Sequence, residues 1–413
     1  MLGRDVSRLL RFALLIGIVV VGSVKGAFAQ AQPTAAQVAP AQSLPPIPEG
    51  DVNALIKQTG ITESDKTVKE LIPGWKPPKS MVVAIDRPDR LAWLQEAVPG
   101  VKLVGVYQKG TRAQNVAEAL PYAANADAFI HVSPNVLCIE DLIKADKQLK
   151  WIHSFGAGPD DCLSVSPELA SGKLLYTDSA KLHTQVPDMA IALAVSLMQS
   201  IDLFVRMDMS EQMKRPKFGE RGGWEIEGRT ILVVGLGGIG TQVAKMSHGL
   251  GMHVIATRET SHQGPDFVDY VGLSNELPNL IGKADLVVIT LPLTPQTKGL
   301  FNSAMFARMK RGAILINVGR GEIVVQPDLV SALKSGQVGG AGLEVTDPEP
   351  LPDHDPLFSA PNTIIMPHGG APTMPSEDDV SFTEKVWLIT REEMRRYAAG
   401  EKMLNVVDVS KGY

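Results

Sequence analysis

The stretch that decides the fold is "RTILVVGLGGIG" at residues 229–240. It joins an apolar strand to a turn in which Gly235, Gly237 and Gly240 follow a G-x-G-x-x-G spacing, and the next stretch, "TQVAKMSHGLG", predicts a helix. In this spacing Gly235 permits the tight turn, Gly237 lets the backbone approach a pyrophosphate, and Gly240 lets helix and strand pack closely. The helix N-terminus attracts phosphates. The stretch therefore predicts a dinucleotide-binding turn.

Short apolar strands continue on both sides of this turn. Downstream they read "HVIAT", "ADLVVITL", "GAILINV", "GGAGLEV" and "NTIIMPH", and upstream "MVVAID", "VKLVGVY", "ADAFIHV" and "LKWIHSFGAG". Helical stretches separate them, which is typical of parallel α/β layers. We predict an α/β protein with two doubly wound parallel-sheet domains, a flavodoxin-like one at 80–205 and a Rossmann-type cofactor domain at 206–372. A last helical segment, 373–413, is expected to return to the first domain.

The N-terminus has the features of a secretory signal. Arg4, Arg8 and Arg11 precede the apolar run "FALLIGIVVVGSV", and "AFA" at 27–29 predicts cleavage after Ala29. The apolar run is shorter than the roughly 20 residues that a membrane span needs. We expect a cleaved signal at 1–29 and an exported, periplasmic or secreted protein; the alternative is an uncleaved membrane anchor. Residues 30–79 are expected to form a spacer with a short helical extension at 51–72.

Composition narrows the function classes. The 413 residues are 44% hydrophobic and 21% charged, as in an ordinary globular protein, with a formal charge of −5. No basic stripe indicates nucleic-acid binding. Cys138 and Cys162 form neither a disulfide framework nor a metal-ligand cluster, so we expect no metal and treat them as thiols.

Three chemically useful side chains follow predicted strands of the second domain. Arg320 lies in "NVGRGE", Glu349 in "DPEPLP" and His368 in "MPHGGAP". The carboxyl ends of parallel strands meet at one edge of the sheet, so these residues can line one crevice. A guanidinium can hold a carboxylate, a histidine can donate a proton to a carbonyl oxygen, and a nearby glutamate raises the imidazole pKa. Together with hydride from a nicotinamide cofactor, they supply what reduction of a 2-keto acid requires.

The chain resembles the D-isomer-specific 2-hydroxyacid dehydrogenase family over roughly residues 80–395. The resemblance is carried by "GRTILVVGLGGIG", "ADLVVITLPLTPQTKGLFN", "MKRGAILINVGRGEIV", "LVSALKSGQVGGAGLEVTDPEPLP" and "NTIIMPHGGAPT". It implies that Arg320, Glu349 and His368 occupy the family's catalytic positions, and that the enzyme is a homodimer built on its cofactor domain. Two departures are noted: Asp188 and Met189 replace a Glu-His pair, and Glu344 stands where the family usually has aspartate.

The resemblance also implies a set of binding positions. Those for the substrate carboxylate are backbone groups around Val132 and Ser133. Those for the cofactor are Gly235, Gly237, Gly238, Ile239, Gly240, Thr257, Arg258, Leu291, Pro292, Thr297, Val318 and Gly319.

Arg258, in "VIATRE", stands where an NAD-binding chain usually carries an acidic residue for the adenosine ribose. An arginine there removes the carboxylate and adds a cation that can pair with a 2′-phosphate. The residue favours NADP over NAD. The alternative is that Arg258 points to solvent and Glu259 takes over the ribose.

Two other functions remain open from the sequence. The chain could be a non-catalytic nucleotide-binding protein that kept the fold, or a formate-type dehydrogenase that oxidises a small carboxylate. A complete Arg, Glu and His set argues against the first of these, because binding alone does not need all three residues.

Overall fold

A computed structural model describes residues 52–85, 88–107, 120–122, 125–131, 148–154, 167–182, 185–207, 223–368 and 382–410, with single positions 117, 156, 158 and 163. The predicted signal segment, the spacer up to residue 51, both cysteines and the predicted substrate contacts Val132 and Ser133 lie outside the described residues. Among the helices it describes, none has both the length and the apolarity needed to cross a bilayer.

An extension precedes the first large sheet. It consists of helix α1 (Val52–Thr59), strand β1 (Glu63–Thr67) and helix α2 (Val68–Leu71). The extension predicted to be helical at 51–72 thus also contains a strand, and β1 pairs antiparallel with strand β14 (Lys402–Leu404) near the C-terminus. The sequence of β1, "ESDKT", has no alternation of apolar residues. Its partner strand, rather than a local pattern, therefore defines it.

The first large sheet has five parallel strands. They are β2 (Ser80–Ile85), β3 (Lys102–Tyr107), β4 (Ala128–His131), β5 (Trp151–Ser154) and β6 (Leu175–Thr177). Their order in the sheet is β3-β2-β4-β5-β6, the flavodoxin-like arrangement. The helices described along this part of the chain are α3 (Pro88–Ala97) and α4 (Pro167–Ala170), and α5 (Gln185–Met198) and α6 (Ile201–Phe204) then lead to the second sheet.

The second sheet has seven parallel strands. They are β7 (Thr230–Val234), β8 (His253–Arg258), β9 (Tyr270–Leu273), β10 (Leu286–Ile289), β11 (Ala313–Asn317), β12 (Val338–Leu343) and β13 (Thr363–Ile365). The order β13-β12-β11-β10-β7-β8-β9 is the Rossmann order with one additional strand. Its helices are α7 (Gly238–Gly249), α8 (Leu277–Leu280), α9 (Ser303–Arg308) and α10 (Gln326–Lys334).

The predicted parallel α/β architecture is thus confirmed. In the two large sheets the sequence pattern did not indicate β6 and β9, which are short strands that each lie at an edge of the sheet. The central strands β7, β10 and β11 are buried almost throughout, which explains their continuous apolar sequences.

Helix α5 packs on the second sheet, although the predicted domain boundary follows it at residue 205. Leu193 and Leu197 belong to the same buried cluster as residues of β7, β8 and β11. Both side chains also approach Gly342 of β12, which leaves room for the helix because it has no side chain. Helix α5 therefore contributes to the buried core of the second sheet.

The last helix, α11 (Phe382–Ala399), packs on the first sheet. The ring of His153 is fully buried between the two, with Nδ1 2.9 Å from Thr177 Oγ1 and Nε2 3.0 Å from Thr390 Oγ1. Burial lowers the pKa of His153 to about 3, so the ring is neutral. This histidine serves packing and takes no part in the crevice chemistry described below.

The glycine turn joins β7 to α7 in a very close contact. A Cβ added at Gly240 would overlap the carbonyl oxygen of Gly235 and would lie 2.8 Å from Thr290 Oγ1. Gly235 itself has a positive φ of 105°, which favours glycine. The first and third glycines of the motif are therefore required by the fold itself.

We predict that Gly240→Ala lowers the free energy of unfolding by about 1–3 kcal/mol, because the added methyl group overpacks this contact. Gly249→Ala, at the end of the same helix, is the matched control: its Cβ would meet no atom within 4 Å. That change should be neutral or stabilising by up to about 1 kcal/mol. Urea unfolding of both variants checks the prediction, and equal losses of stability would contradict it.

Candidate active site

The candidate site lies at the carboxyl ends of the second sheet. The glycine turn follows β7, Arg320 follows β11, Glu349 follows β12 and His368 follows β13. Because β7, β10, β11, β12 and β13 are parallel, their ends share one edge of the sheet. The fold thereby gathers side chains that are far apart in the sequence.

The glycine turn leaves an opening suited to a pyrophosphate. A Cβ at Gly237 would meet no atom within 4 Å, and Gly237 is the N-cap of α7. The first turn of that helix contains no acidic residue, so no carboxylate there repels an anion. Gly238 and Ile239 open the helix, and Ile239 packs partly on the core. These residues fit the phosphates of a dinucleotide.

The predicted residues after β10 and β11 come together beside this turn. A Cβ at Gly235 would lie 2.9 Å from Leu291 Cδ2, and one at Gly319 would lie 2.7 Å from the Leu291 carbonyl oxygen. Thr297 Oγ1 donates to the Pro292 carbonyl oxygen at 2.7 Å and closes its loop. Val318 differs, because its side chain is buried in the core and only its backbone can face the crevice.

At the end of β8, Thr257 and Arg258 have different environments. Thr257 is buried, and its carbonyl oxygen accepts a hydrogen bond from the Leu236 N–H at 2.8 Å. Arg258 is partly exposed and donates through Nη2 to the Leu236 carbonyl oxygen and through Nη1 to that of Gln263, both at 3.1 Å. The guanidinium is therefore fixed beside the glycine turn rather than extended into solvent.

His368 and Glu349 form the central hydrogen bond of the site. Nδ1 of His368 lies 2.7 Å from Glu349 Oε2, and the other carboxylate oxygen of Glu349 accepts from the Thr346 N–H at 2.8 Å. Both side chains are partly exposed, so the pair is accessible from the crevice. The carboxylate thus orients the ring and leaves Nε2 as the nitrogen on its opposite side.

The pair perturbs both of its ionisable groups. The hydrogen bond with Glu349 raises the pKa of His368, although burial and the charge of Arg320 act in the other direction. Burial by itself would raise the pKa of Glu349, but hydrogen bonds from His368 and Thr346 outweigh it and lower that pKa. The arrangement favours a protonated imidazole beside a charged carboxylate.

Arg320 lies at the end of the neighbouring strand. Its charge acts on both Glu349 and His368, and its Nη1 donates to the Gly319 carbonyl oxygen at 2.9 Å. The buried Asn317 holds this turn by donating to the Arg320 carbonyl oxygen at 2.9 Å and accepting from the Gly319 N–H at 3.1 Å. A cation is therefore held close to the imidazole.

The sequence did not indicate two threonines that hold the site in place, or that the carboxyl group of Glu344 is buried beside it. Thr290 donates to the Gly235 carbonyl oxygen at 2.6 Å, and Thr346 positions Glu349. Glu344 is 3% exposed, and burial raises its pKa to about 7, with opposing effects from His368 and Glu349. The sequence could have indicated Glu344, because it comes one residue after β12 and the ends of these strands meet in the crevice.

Among the described residues, no group of three or more His, Cys, Asp or Glu side chains could hold a metal ion.

Comparison with known proteins identifies the family. A family model described as D-isomer specific 2-hydroxyacid dehydrogenase, NAD binding domain, matches residues 191–370. Glyoxylate/hydroxypyruvate reductase B of Citrobacter koseri is 30% identical over 63% of this chain and 80% of that reductase. The chain belongs to the D-isomer specific 2-hydroxyacid dehydrogenase family. It is therefore an oxidoreductase that uses a nicotinamide cofactor.

Two further comparisons concern one similar sequence and one similar fold. D-3-phosphoglycerate dehydrogenase of Mycobacterium leprae is 31% identical over 78% of this chain and 58% of that protein. The crystal structure of an NADPH-dependent glyoxylate/hydroxypyruvate reductase from Sinorhizobium meliloti, in complex with NADP and sulfate, has the same fold, with a TM-score of 0.65 and 24% identity. That match covers 81% of this chain and all of the solved one, 100%.

The geometry predicts how Glu349→Gln changes the titration of His368. Without the carboxylate the pKa of His368 should fall, because the remaining effect of burial lowers it. Because the folded protein binds the His368 proton more tightly than the unfolded chain does, the raised pKa adds to the free energy of unfolding. This contribution is complete below pH 6.5, the ordinary pKa of histidine, and is lost as pH rises through the folded pKa. The lowered pKa of Glu349 stabilises above its ordinary value of 4.5, and that contribution is lost as pH falls through the folded pKa.

The loss of stability in this variant should therefore be largest between about pH 4.5 and 6.5. NMR titration of the histidine ring protons and urea unfolding across pH provide the measurements. Glu276→Gln is the control, because Glu276 lies beside a different histidine, His262, at 3.7 Å. An unchanged titration of His368 in the Glu349 variant would show that the hydrogen bond does not set its pKa.

Proposed function

We propose that this dehydrogenase interconverts a small 2-keto acid and the corresponding D-2-hydroxy acid, with His368 as proton donor and acceptor. The observation that carries the proposal is the 2.7 Å hydrogen bond between His368 Nδ1 and Glu349, beside the cation of Arg320. A bound nicotinamide cofactor supplies or accepts the hydride. The residues of the chain then have to hold the substrate and move one proton.

Each side chain has one task in this scheme. Arg320 binds the substrate carboxylate with paired hydrogen bonds, which orients the neighbouring carbonyl group. Because Nδ1 of His368 is hydrogen-bonded to Glu349, Nε2 is the atom that donates a proton to the carbonyl oxygen. Glu349 keeps the imidazole protonated for reduction, and in the reverse direction the neutral ring takes the hydroxyl proton. Backbone groups around Val132 and Ser133 are proposed to complete the carboxylate site.

For the cofactor we infer a preference for NADP. The support is that Arg258 is fixed by the Leu236 and Gln263 carbonyl oxygens at the end of β8, where the adenosine ribose of a dinucleotide lies in this fold. A guanidinium has five N–H donors, so these two contacts leave donors for a phosphate. The alternative in which Arg258 points to solvent has less support from this geometry.

We also propose that the enzyme is a homodimer and acts outside the cytoplasm, in the periplasm or after secretion. Export would separate the enzyme from the cytoplasmic cofactor pool. Tight retention of NADP would resolve this, and an N-terminal membrane anchor with the enzyme facing the cytoplasm is the alternative.

We predict that His368→Ala lowers kcat for reduction of 2-keto acids by about 10²–10⁴-fold, the usual contribution of general acid catalysis. The Kd of the cofactor should change little, because the ring is proposed to act on the substrate. Steady-state assays with glyoxylate and hydroxypyruvate, together with fluorescence titration of NADPH, measure both. His253→Ala is the control, because His253 begins β8 at the opposite edge of the sheet. If His368→Ala keeps the kcat of the wild type, the role of His368 as proton donor is refuted. If the wild-type protein itself shows no turnover with NADPH or NADH, a non-catalytic nucleotide-binding protein is favoured.

We predict that Arg258→Asp raises the Kd of NADPH about 10–100-fold relative to that of NADH, since a charge-assisted contact with the 2′-phosphate is lost. The ratio of the two Kd values is the readout, because loss of the contact between residue 258 and Leu236 would weaken the binding of NADPH and of NADH to the same extent. Arg311→Asp is the matched control: Arg311 also donates to a backbone carbonyl oxygen, that of Ser335, but precedes β11 at the opposite edge of the sheet. An unchanged ratio in Arg258→Asp would overturn the NADP preference.

A further inference from the structure

Lys181 lies directly against the glycine turn, although it comes from the loop that follows the first sheet. A Cβ at Gly238 would be 2.9 Å from Lys181 Cγ and 3.7 Å from Lys181 Cα. Lys181 also has a positive φ of 70°, unusual for a residue with a side chain. The fold thus holds this loop tightly against the start of α7.

The ammonium group of Lys181 is positioned by the N-terminal extension. Nζ donates to the carbonyl oxygen of Gly60, just after α1, at 2.7 Å. The side chain is partly buried, and burial lowers its pKa while the nearby Asp178 acts in the opposite direction. One neutral carbonyl oxygen is a weak partner for a partly desolvated cation, whereas a phosphate would be a strong one.

The glycine turn contains no cationic side chain of its own. Residues 233–244 contain no lysine or arginine, so the turn offers only backbone N–H groups and the helix dipole. Of the cations described above, Arg258 lies at the end of β8 and Arg320 at the end of β11, beside the catalytic pair. Arg258 already donates to the Leu236 and Gln263 carbonyl oxygens and is proposed to pair with the 2′-phosphate, which leaves the pyrophosphate at the start of α7 for another cation.

Lys181 can reach that position. A lysine side chain extends about 6 Å from its Cα, since it contains five bonds of roughly 1.5 Å each. The Cα of Lys181 is in contact range of Gly238, the first residue of α7, where N–H groups point toward a bound anion.

We propose that Lys181 is a cofactor-binding residue whose ammonium group pairs with the pyrophosphate of the bound dinucleotide, moving there from the Gly60 carbonyl oxygen. This inference rests on the proposed function in one respect, the binding of a dinucleotide at the glycine turn. The two anionic parts of the cofactor are then met by Arg258 at the 2′-phosphate and by Lys181 at the pyrophosphate, and Arg320 meets the carboxylate of the substrate.

Binding of two nucleotide fragments tests the proposal without turnover. ADP carries a pyrophosphate but no 2′-phosphate, and adenosine 2′-phosphate carries the reverse. We expect Lys181→Met to raise the Kd of ADP about 10–100-fold, the usual effect of losing a charge-assisted hydrogen bond. The Kd of adenosine 2′-phosphate should change by less than about twofold. Lys181→Arg should retain ADP binding. Isothermal titration calorimetry of the full chain gives all of these values.

Two further variants separate charge from structure. Lys181→Gln keeps a donor for the Gly60 carbonyl oxygen but loses the charge, so ADP binding should weaken as in Lys181→Met. Lys69→Met is the control, because Lys69 lies over the Trp75 ring in the extension, at 5.4 Å from its centroid.

Wild-type ADP affinity in Lys181→Gln would show that Lys181 only tethers the extension, and would overturn the proposal while leaving the proposed function intact. Equal weakening of both fragments would also overturn it, since the change would then be a general loss of structure. Failure of the wild-type chain to bind ADP, adenosine 2′-phosphate or NADPH would refute the cofactor site itself and this inference with it.

Discussion

The contact between helix α7 and strand β7 is the constraint on which the rest of the site depends. Gly240 lies so close to the Gly235 carbonyl oxygen that no side chain fits between them, and Thr290 holds the same oxygen by a 2.6 Å hydrogen bond. This close packing aims the start of α7 at the open space beside Gly237. The other residues of the crevice lie close to this turn, because the neighbouring parallel strands end at the same edge of the sheet.

The second determinant is the distribution of charge along that edge. Glu349 and the buried Glu344 lie near His368, and one of them binds the ring directly. The arginines lie where a dinucleotide and a substrate carboxylate would present negative groups. Such an arrangement suits proton transfer beside an anionic substrate, because the imidazole stays protonated while the cations hold the reactant in place. The proposed reaction therefore rests on the relative placement of these groups more than on any one of them.

Most strands of the two large sheets and the positions of the candidate site residues could be predicted from the sequence. The strands and contacts that could not be predicted lack a local sequence signal for physical reasons. Central strands such as β7 and β11 are buried on both faces, so they appear as continuous apolar runs. The edge strands β6 and β9 are short, and β1 exists because β14 pairs with it, so none of the three has a strong local signal. The position of the side chains proposed to be catalytic at one edge of the sheet could be predicted because each follows a strand. The contacts of Arg258 with Leu236, and of Lys181 with Gly238, join residues distant in sequence, and no periodicity encodes such contacts.

The central claim is that one imidazole, held protonated by Glu349, gives its proton to the substrate during reduction and takes it back during oxidation. The most direct test is the pH dependence of kcat/KM in both directions at saturating cofactor. The reduction is predicted to be fastest at low pH and to decline as His368 loses its proton, at a pH above its ordinary pKa of 6.5. The oxidation is predicted to rise over a comparable range. Two profiles that run in the same direction would contradict the account.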